Sequence, residues 1–462
     1  MQRSASFFLL LLSVMLWLCS NGQHDSLNIK TDSIFKKYNS KSNPGYATAI
    51  IREGKVVFKR YYGAANLENE IPITASTVFN IASVSKQFTG LAISMLIQQG
   101  KISADDDVHK YIPELPVYEK PVTISHLLHH TSGIKDCYEA MTITGWRWDD
   151  VFAYDDILRI TTKLKKLNFE PGSRYAYSNT EYVLLQEIVQ RVTKQPYNEW
   201  MKQNIFDPIG MKDSYFVTDY TAINKHAAQD YQRTDSGFAK DPQKLSSRPM
   251  YSTLDDLIKW TVHFNQQLAA NDAVYTRMTT DFTLSNGKTA HYGFGLLLGN
   301  DLGVPVIMHT GAWGGYRAVI RNYPAEKLSV IILGNAGDND LNYGYSFQLA
   351  GLFLKDKFKK ETAPVKTPVT VSPARDTLVV TAIQLQQYTG IYINEDLVAA
   401  YAVKLVNGKL VLQHVRRGDF ELQPKPFDAD EFKSDIGTVK FLTQGGKVGG
   451  IEISGIEFRK KN

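Results

Sequence analysis

Apolar positions in the first part of the chain follow two different periods. Tyr46–Ile51 and Lys55–Tyr62 are stretches of strand length, and the turn pair Glu53-Gly54 between them predicts a β-hairpin. After Ser76 the period changes. Val84, Phe88, Leu91 and Met95 recur at intervals of four, three and four, the spacing of one helical face, and Gly100 follows as a stop. Val183 to Val192 and Ser252 to Asn265 predict two further amphipathic helices. Val304–His309, Tyr316–Asn322 and Leu328–Leu333 read as successive strands separated by Gly- or Pro-containing turns. Helices in the middle with strands at both ends predict an α+β fold, in which one antiparallel sheet is closed by the two ends of the segment and flanked by helices.

The pattern then breaks. Glu361 to Asp376 carries Pro364, Pro368 and Pro373 with no period of either kind, which predicts a semi-stiff linker over residues 361–379. Beyond it, Tyr401–Val406 and Lys409–His414 flank Asn407-Gly408, a strong hairpin signal, and Phe441–Leu442 and Val448–Ile453 flank Gly445-Gly446. With strands and no helical pattern, residues 380–462 are expected to form a small all-β barrel.

Composition narrows the class. A chain of 462 residues, 43% hydrophobic and 21% charged, can bury a large core without disulfides or metals. The 52 Lys and Arg exceed the 47 Asp and Glu by little, and no dense basic run accompanies them, so a nucleic-acid partner is not expected. Arg3 supplies a positive start, Phe7 to Cys19 an apolar stretch too short to span a bilayer, and Ser20 and Gly22 small residues before Gln23. Residues 1–22 are therefore expected to be a cleaved signal peptide, leaving a secreted or periplasmic protein with no stable membrane span, in which residues 23–360 form the first domain. Cleavage would leave Cys137 as the only thiol, expected to be structural.

Ser83-Val84-Ser85-Lys86 opens the first amphipathic helix and so puts a hydroxyl and an amine on one side of it. A desolvated lysine there can lose its proton and activate the serine, and free N–H groups at the helix start can support an oxyanion. The pattern alone decides nothing, because Ser33…Lys36, Ser132…Lys135 and Ser285…Lys288 share it, and Tyr177-Ser178-Asn179 has a counterpart in Tyr392-Ile393-Asn394. The order is what carries weight: Ser83…Lys86, then Tyr177-Ser178-Asn179, then His309-Thr310-Gly311 at the end of a predicted strand.

That ordered set resembles the serine β-lactamase and penicillin-binding protein superfamily, in its branch of class C β-lactamases, DD-peptidases and related esterases. Phe79 to Lys86, Ile124 to Gly133, and Glu170-Pro171-Gly172 leading into Tyr175 to Asn179 are similar to that branch's signatures, over about residues 30–355. Tyr388-Thr389-Gly390-Ile391-Tyr392 and the hairpins after it resemble the lipocalin-like β domain often appended to these hydrolases. The resemblance implies a helical subdomain beside the sheet and a hydrolase acting through an acyl-enzyme. By it, Ser83 is the nucleophile, Lys86 and Tyr177 share the proton transfers, and Asn179 positions the substrate amide. The amides of Ser83 and Ala312 form the oxyanion hole, and His309, Thr310 and Gly311 border the substrate on a strand that Gly311 lets come close.

The third motif departs from the lactamase Lys-Thr-Gly. A histidine is mostly neutral at pH 7 and holds a carboxylate less firmly than lysine, so His309 predicts a pH limb near neutrality, with Arg317 and Arg321 as candidates to compensate. No cofactor or metal is expected: His126, His129 and His130 have no Cys or acidic partner at ligand spacing and predict hydrogen bonding. Gly293-Phe294-Gly295 has the wrong spacing for a dinucleotide loop, and there is no Gly-x-Ser-x-Gly elbow. The substrate is expected to be a small molecule or peptide, with a cell-wall D-Ala-D-Ala end, an ester and a β-lactam all open. Two readings stand beside hydrolysis: a sensor that is acylated without turnover, and a chain whose working part is the C-terminal β domain.

Overall fold

The computed structural model describes residues 28–243, 248–338, 344–359, 385–425 and 428–461. The expected signal peptide (1–22) and linker (361–379) lie outside them.

Strands β1 (Tyr46–Arg52), β2 (Lys55–Tyr62), β3 (Leu297–Asp301), β4 (Val304–Trp313), β5 (Tyr316–Tyr323) and β6 (Leu328–Gly334) form a six-stranded antiparallel sheet in the order β3-β4-β5-β6-β1-β2. β1 pairs with β6 from Tyr46↔Gly334 to Arg52↔Leu328, so the two ends of the segment do meet in one sheet. Both faces of the central strands are covered, which is why β5 and β6 are buried throughout, β5 with Arg317, Arg321 and Asn322 among its residues. Ala47, Ala49, Ala318 and Ile331 face one core, while Tyr46, Ile50, Val319 and Val330 face the other, an alternation set by the strand period of two. Helix α1 (Lys86–Gln98) packs into the first core, together with α4 (Asn179–Thr193) and α5 (Leu254–Ala269). The predicted turns take the conformations their residues allow, with positive φ at Glu53 and Gly54 and again at Asn407 and Gly408.

Between α1 and α4 lies the helical region, which includes α2 (Cys137–Ile143) and α3 (Tyr154–Thr161). Nine antiparallel strands between Gly390 and Lys460 form a nearly closed barrel, with the first (Gly390–Asn394) beside the last (Ile456–Lys460). Its interior is filled by its own side chains, Tyr388 lying 4.2 Å from Phe441 and Phe432 lying 5.5 Å from Phe441 between ring centres.

The barrel does not have a core to itself. Cys137, Ala140, Met141 and Ile143 of α2 and Ile157 and Ile160 of α3 share one apolar cluster with Tyr392, Tyr401, Leu412, Phe441 and Phe458. Buried Lys135 adds a polar pin, its Nζ donating to the Ser454 carbonyl of the barrel and, at 2.6 Å, to Asn168. Among the described residues no helix is long and apolar enough to cross a membrane.

Candidate active site

Ser83 sits in a short 3₁₀ turn, Ala82–Ser85, that leads directly into α1 at Lys86. The sequence pattern predicted a regular first helical turn. Instead Ala82, just before the serine, has φ of +46°, a left-handed conformation that side chains other than Gly seldom adopt. Its amide is held by the Asn80 side chain at 2.9 Å, which helps fix that conformation.

Two groups converge on the serine. Lys86 Nζ donates to Ser83 Oγ at 3.1 Å, and the Tyr177 hydroxyl donates to the same oxygen at 2.7 Å. Lys86 also donates to Asn179 Oδ1 at 3.0 Å. Asn179 is fixed in turn by Asp136, whose Oδ2 accepts from the Asn179 backbone N–H at 2.6 Å and from its side-chain amide at 2.9 Å. Burial pulls the Lys86 ammonium down from 10.5 to about 8, with the Asp136 carboxylate opposing the shift. Tyr177 moves the other way: loss of water around its hydroxyl pushes the phenol up, so it stays protonated across the physiological range.

Glycines bring the backbone close on two sides. A Cβ on Gly311 would fall on the Ile81 carbonyl oxygen, so only Gly lets β4 lie against the turn that carries Ser83. Gly311→Ala is expected to push β4 away, costing about 1–3 kcal/mol of stability and a larger share of activity. Thermal unfolding beside kcat/KM checks this; an unchanged kcat/KM would show that the approach is not needed. Gly295 lies on the Lys86 backbone and Gly90 on the Phe294 carbonyl, so the glycines around Phe294 pack a loop onto α1.

Ser83, Lys86, Tyr177, Asn179, His309, Thr310 and Ala312 all line one open cavity of about 630 Å³. His309 is the residue whose setting differs most from expectation. It is 3% exposed, its Nδ1–H donates to the Thr310 carbonyl at 2.6 Å, and its Nε2 accepts from the Tyr292 hydroxyl at 2.8 Å. Burial, with nearby Lys86 adding to it, pushes its pKa down to about 3, so it is neutral around pH 7. A limb near pH 8 is therefore expected from Lys86 rather than from His309. His309→Asn should leave that limb where it is in a plot of kcat/KM against pH, and its disappearance would return the titration to His309.

The family model described as Beta-lactamase matches residues 31–351. The chain belongs to the β-lactamase family. A D-aminopeptidase of Gluconobacter oxydans is 30% identical over 297 residues, 63% of this chain and 56% of that protein. The chain thus spans about half the length of the D-aminopeptidases it matches. Penicillin-binding protein 4* of Bacillus subtilis is 27% identical over 389 residues, 80% of this chain and 84% of that one. The octameric penicillin-binding protein homologue from Pyrococcus abyssi aligns over 95% of this chain and 99% of its own, at 25% identity and a TM-score of 0.61. The D-amino acid amidase from Ochrobactrum anthropi SV3, solved with L-phenylalanine amide, aligns over 71% of this chain and 96% of its own, at 23% identity and a TM-score of 0.57, a likeness of fold.

Within this β-lactamase-family frame, the other candidates separate. Arg317 lines the cavity, its guanidinium donating to the carbonyls of Gly314 and Tyr316, each at 2.7 Å. Arg321 does not reach it: four residues further along β5 it is fully buried, paired with Asp301 and bonded to Ser346 at 3.1 Å. His126 closes a capping box with Thr123, and His130 bonds to buried Glu181 while its ring lies 4.3 Å from that of Tyr177. Among the described residues, no group of three or more His, Cys, Asp and Glu stands close enough to hold a metal. Cys137 is buried in the shared core, where desolvation raises its thiol pKa. Motif reading missed Asp136, Glu181 and Tyr292. Asp136 carried one signal, as an N-cap residue placed just before α2.

Proposed function

We propose that this protein is an exported serine hydrolase that cleaves small peptide-like amides or esters through an acyl-enzyme on Ser83. One observation carries the reading: a single oxygen, Ser83 Oγ, is held at once by a lysine whose pKa is about 8 and by a tyrosine that stays protonated. Those states divide the work. Neutral Lys86 takes the Ser83 proton as Oγ attacks the carbonyl carbon, and Tyr177 relays a proton to the leaving group. The amides of Ser83 and Ala312 stabilise the oxyanion, Asn179 orients the substrate amide, and His309, Thr310 and Gly311 form the strand edge beside it. Water then attacks the ester and frees Ser83. Export rests on the leader-like residues 1–22.

Charge narrows the substrate. The charged residues lining the cavity are Lys86, Arg248 and Arg317, and no carboxylate is among the described lining residues. A substrate with a free ammonium would find no ion partner there, so a neutral or carboxylate-bearing substrate, such as a cell-wall peptide end, is favoured over the free amino terminus that the name D-aminopeptidase implies. The test is a panel of D-Ala-D-Ala peptides, D-amino acid amides, simple esters and nitrocefin against the purified protein. Faster turnover of D-amino acid amides than of every carboxylate-bearing or neutral substrate would overturn the charge argument.

A further inference from the structure

Three aromatic rings from two parts of the chain stand together on one side of the cavity that holds Ser83. Tyr138 of α2 lies 5.2 Å from Trp313 between ring centres, and Trp148 lies 6.1 Å from Trp313 and 6.2 Å from Tyr138. All three line the cavity, and Trp148 remains 40% exposed. Trp313 directly follows Ala312, so the rings begin one residue from the proposed oxyanion donor. Phe152, 6.2 Å from Trp148, backs them from the core.

Trp148 sits in a connection with no regular structure, between α2 and α3, and the barrel grips the end of α2 at one point and that connection at three. The Tyr401 hydroxyl donates to the Ile143 carbonyl at 2.5 Å, and the ring of His414 packs where a Cβ on Gly145 would stand. Arg417 donates to the Trp146 carbonyl at 3.2 Å, and one Arg416 nitrogen lies 2.8 Å from both carboxylate oxygens of Asp150. Asp150 in turn accepts from the Arg147 amide at 2.8 Å, which closes the turn that presents Trp148.

We propose that the C-terminal barrel is part of the substrate-binding apparatus: it clamps residues 143–150 so that Tyr138, Trp148 and Trp313 form a wall for a phenyl-sized apolar group of the substrate. The proposal rests on the Ser83 reading for its chemistry and adds a substrate class to it. An apolar wall beside cationic and neutral polar groups selects a substrate that joins an aromatic or bulky side chain to a polar scissile bond. Burying one phenyl group in such a site typically changes kcat/KM by about 10- to 100-fold.

The experiment compares ethyl acetate with ethyl phenylacetate and benzyl acetate by pH-stat, which places the ring on the acyl or the leaving side with no other aromatic group present. The full-length protein is expected to prefer one aromatic ester by about tenfold or more. Trp148→Ala should collapse that ratio, Arg416→Ala should lower it, and Arg416→Lys should restore part of it. Calorimetric binding of phenylacetate against acetate to the Ser83→Ala protein reads the same wall without turnover. A preference below about threefold in both measurements, or one untouched by Trp148→Ala, overturns the wall. If Arg416→Ala lowers all three esters by one factor, the barrel acts on stability alone and its part falls. Ester hydrolysis that survives Ser83→Ala would sink the catalytic reading while leaving the calorimetric result to stand.

Discussion

Ser83→Ala is expected to abolish turnover and covalent labelling by a fluorophosphonate or a fluorescent penicillin, with kcat falling by about four orders of magnitude or more. The expectation follows from the position of one oxygen. Ser83 Oγ has both Lys86 Nζ and the Tyr177 hydroxyl within hydrogen-bonding distance and lines the open cavity. The other Ser-x-x-Lys sites have none of this. Ser132 is fully buried with its hydroxyl donating to Glu181 at 2.5 Å, Ser285 is exposed on a turn, and Ser33 bonds to the Lys30 carbonyl at 2.7 Å. Alanine at any of those three should leave labelling intact. Labelling that persists in Ser83→Ala and is lost in one of them would move the nucleophile elsewhere.

The second large effect concerns Lys86, where activity and stability are expected to part. A general base must be neutral to work, so kcat/KM should rise with pH and level off above about 8. Lys86→Met should cost about three orders of magnitude in kcat/KM and remove that limb. Stability has its own sign. The folded pKa of Lys86 lies below its ordinary 10.5, so at pH 7 the native state carries a buried ammonium at a cost of roughly 3 kcal/mol. Between pH 8 and 10.5 the unfolded chain binds more protons than the native one, and stability therefore rises with pH across that window. Methionine removes the buried charge and also the hydrogen bonds to Ser83 and Asn179, and the first term is the larger. The variant should melt no lower than wild type at pH 7 by calorimetry. A drop of several degrees would mean that the ammonium is structural.

Much of the fold was legible from local pattern. The Glu53-Gly54 and Asn407-Gly408 hairpins, the helix after Ser83 and the strands of β4 to β6 depend on residues near one another in sequence, and local periodicity reads such residues well. The three motifs were legible through their order along the chain, and the fold brings residues of all three to one cavity. Other features depend on what lies far away in sequence. His309 offered a residue with an ordinary pKa near neutrality, but its burial against Tyr292 and beside Lys86 comes from tertiary packing. Arg321 looked available to compensate for His309, yet the tertiary fold puts Asp301 and Ser346 over it. Trp148 sits in a stretch with no period, where only its neighbours in space reveal a use for it.

The apolar cluster that joins α2 and α3 to the barrel also changes what counts as a separable piece of this chain. The Pro-rich stretch marks a boundary in the sequence, but the packing crosses it: the barrel's core takes in α2, α3 and, at Val183, the edge of α4, far upstream. An exchange of everything after residue 380 with a relative's tail would leave Met141, Ile143 and Ile157 facing a surface shaped for other side chains. A unit that keeps the barrel's apolar contacts pairs it with residues 135–164, and that stretch is tied in turn to α4 through Asp136–Asn179 and Tyr154–Glu187. For the same reason a substitution on the buried side of α2 and one inside the barrel should be non-additive despite being hundreds of positions apart, because both alter a single packed volume.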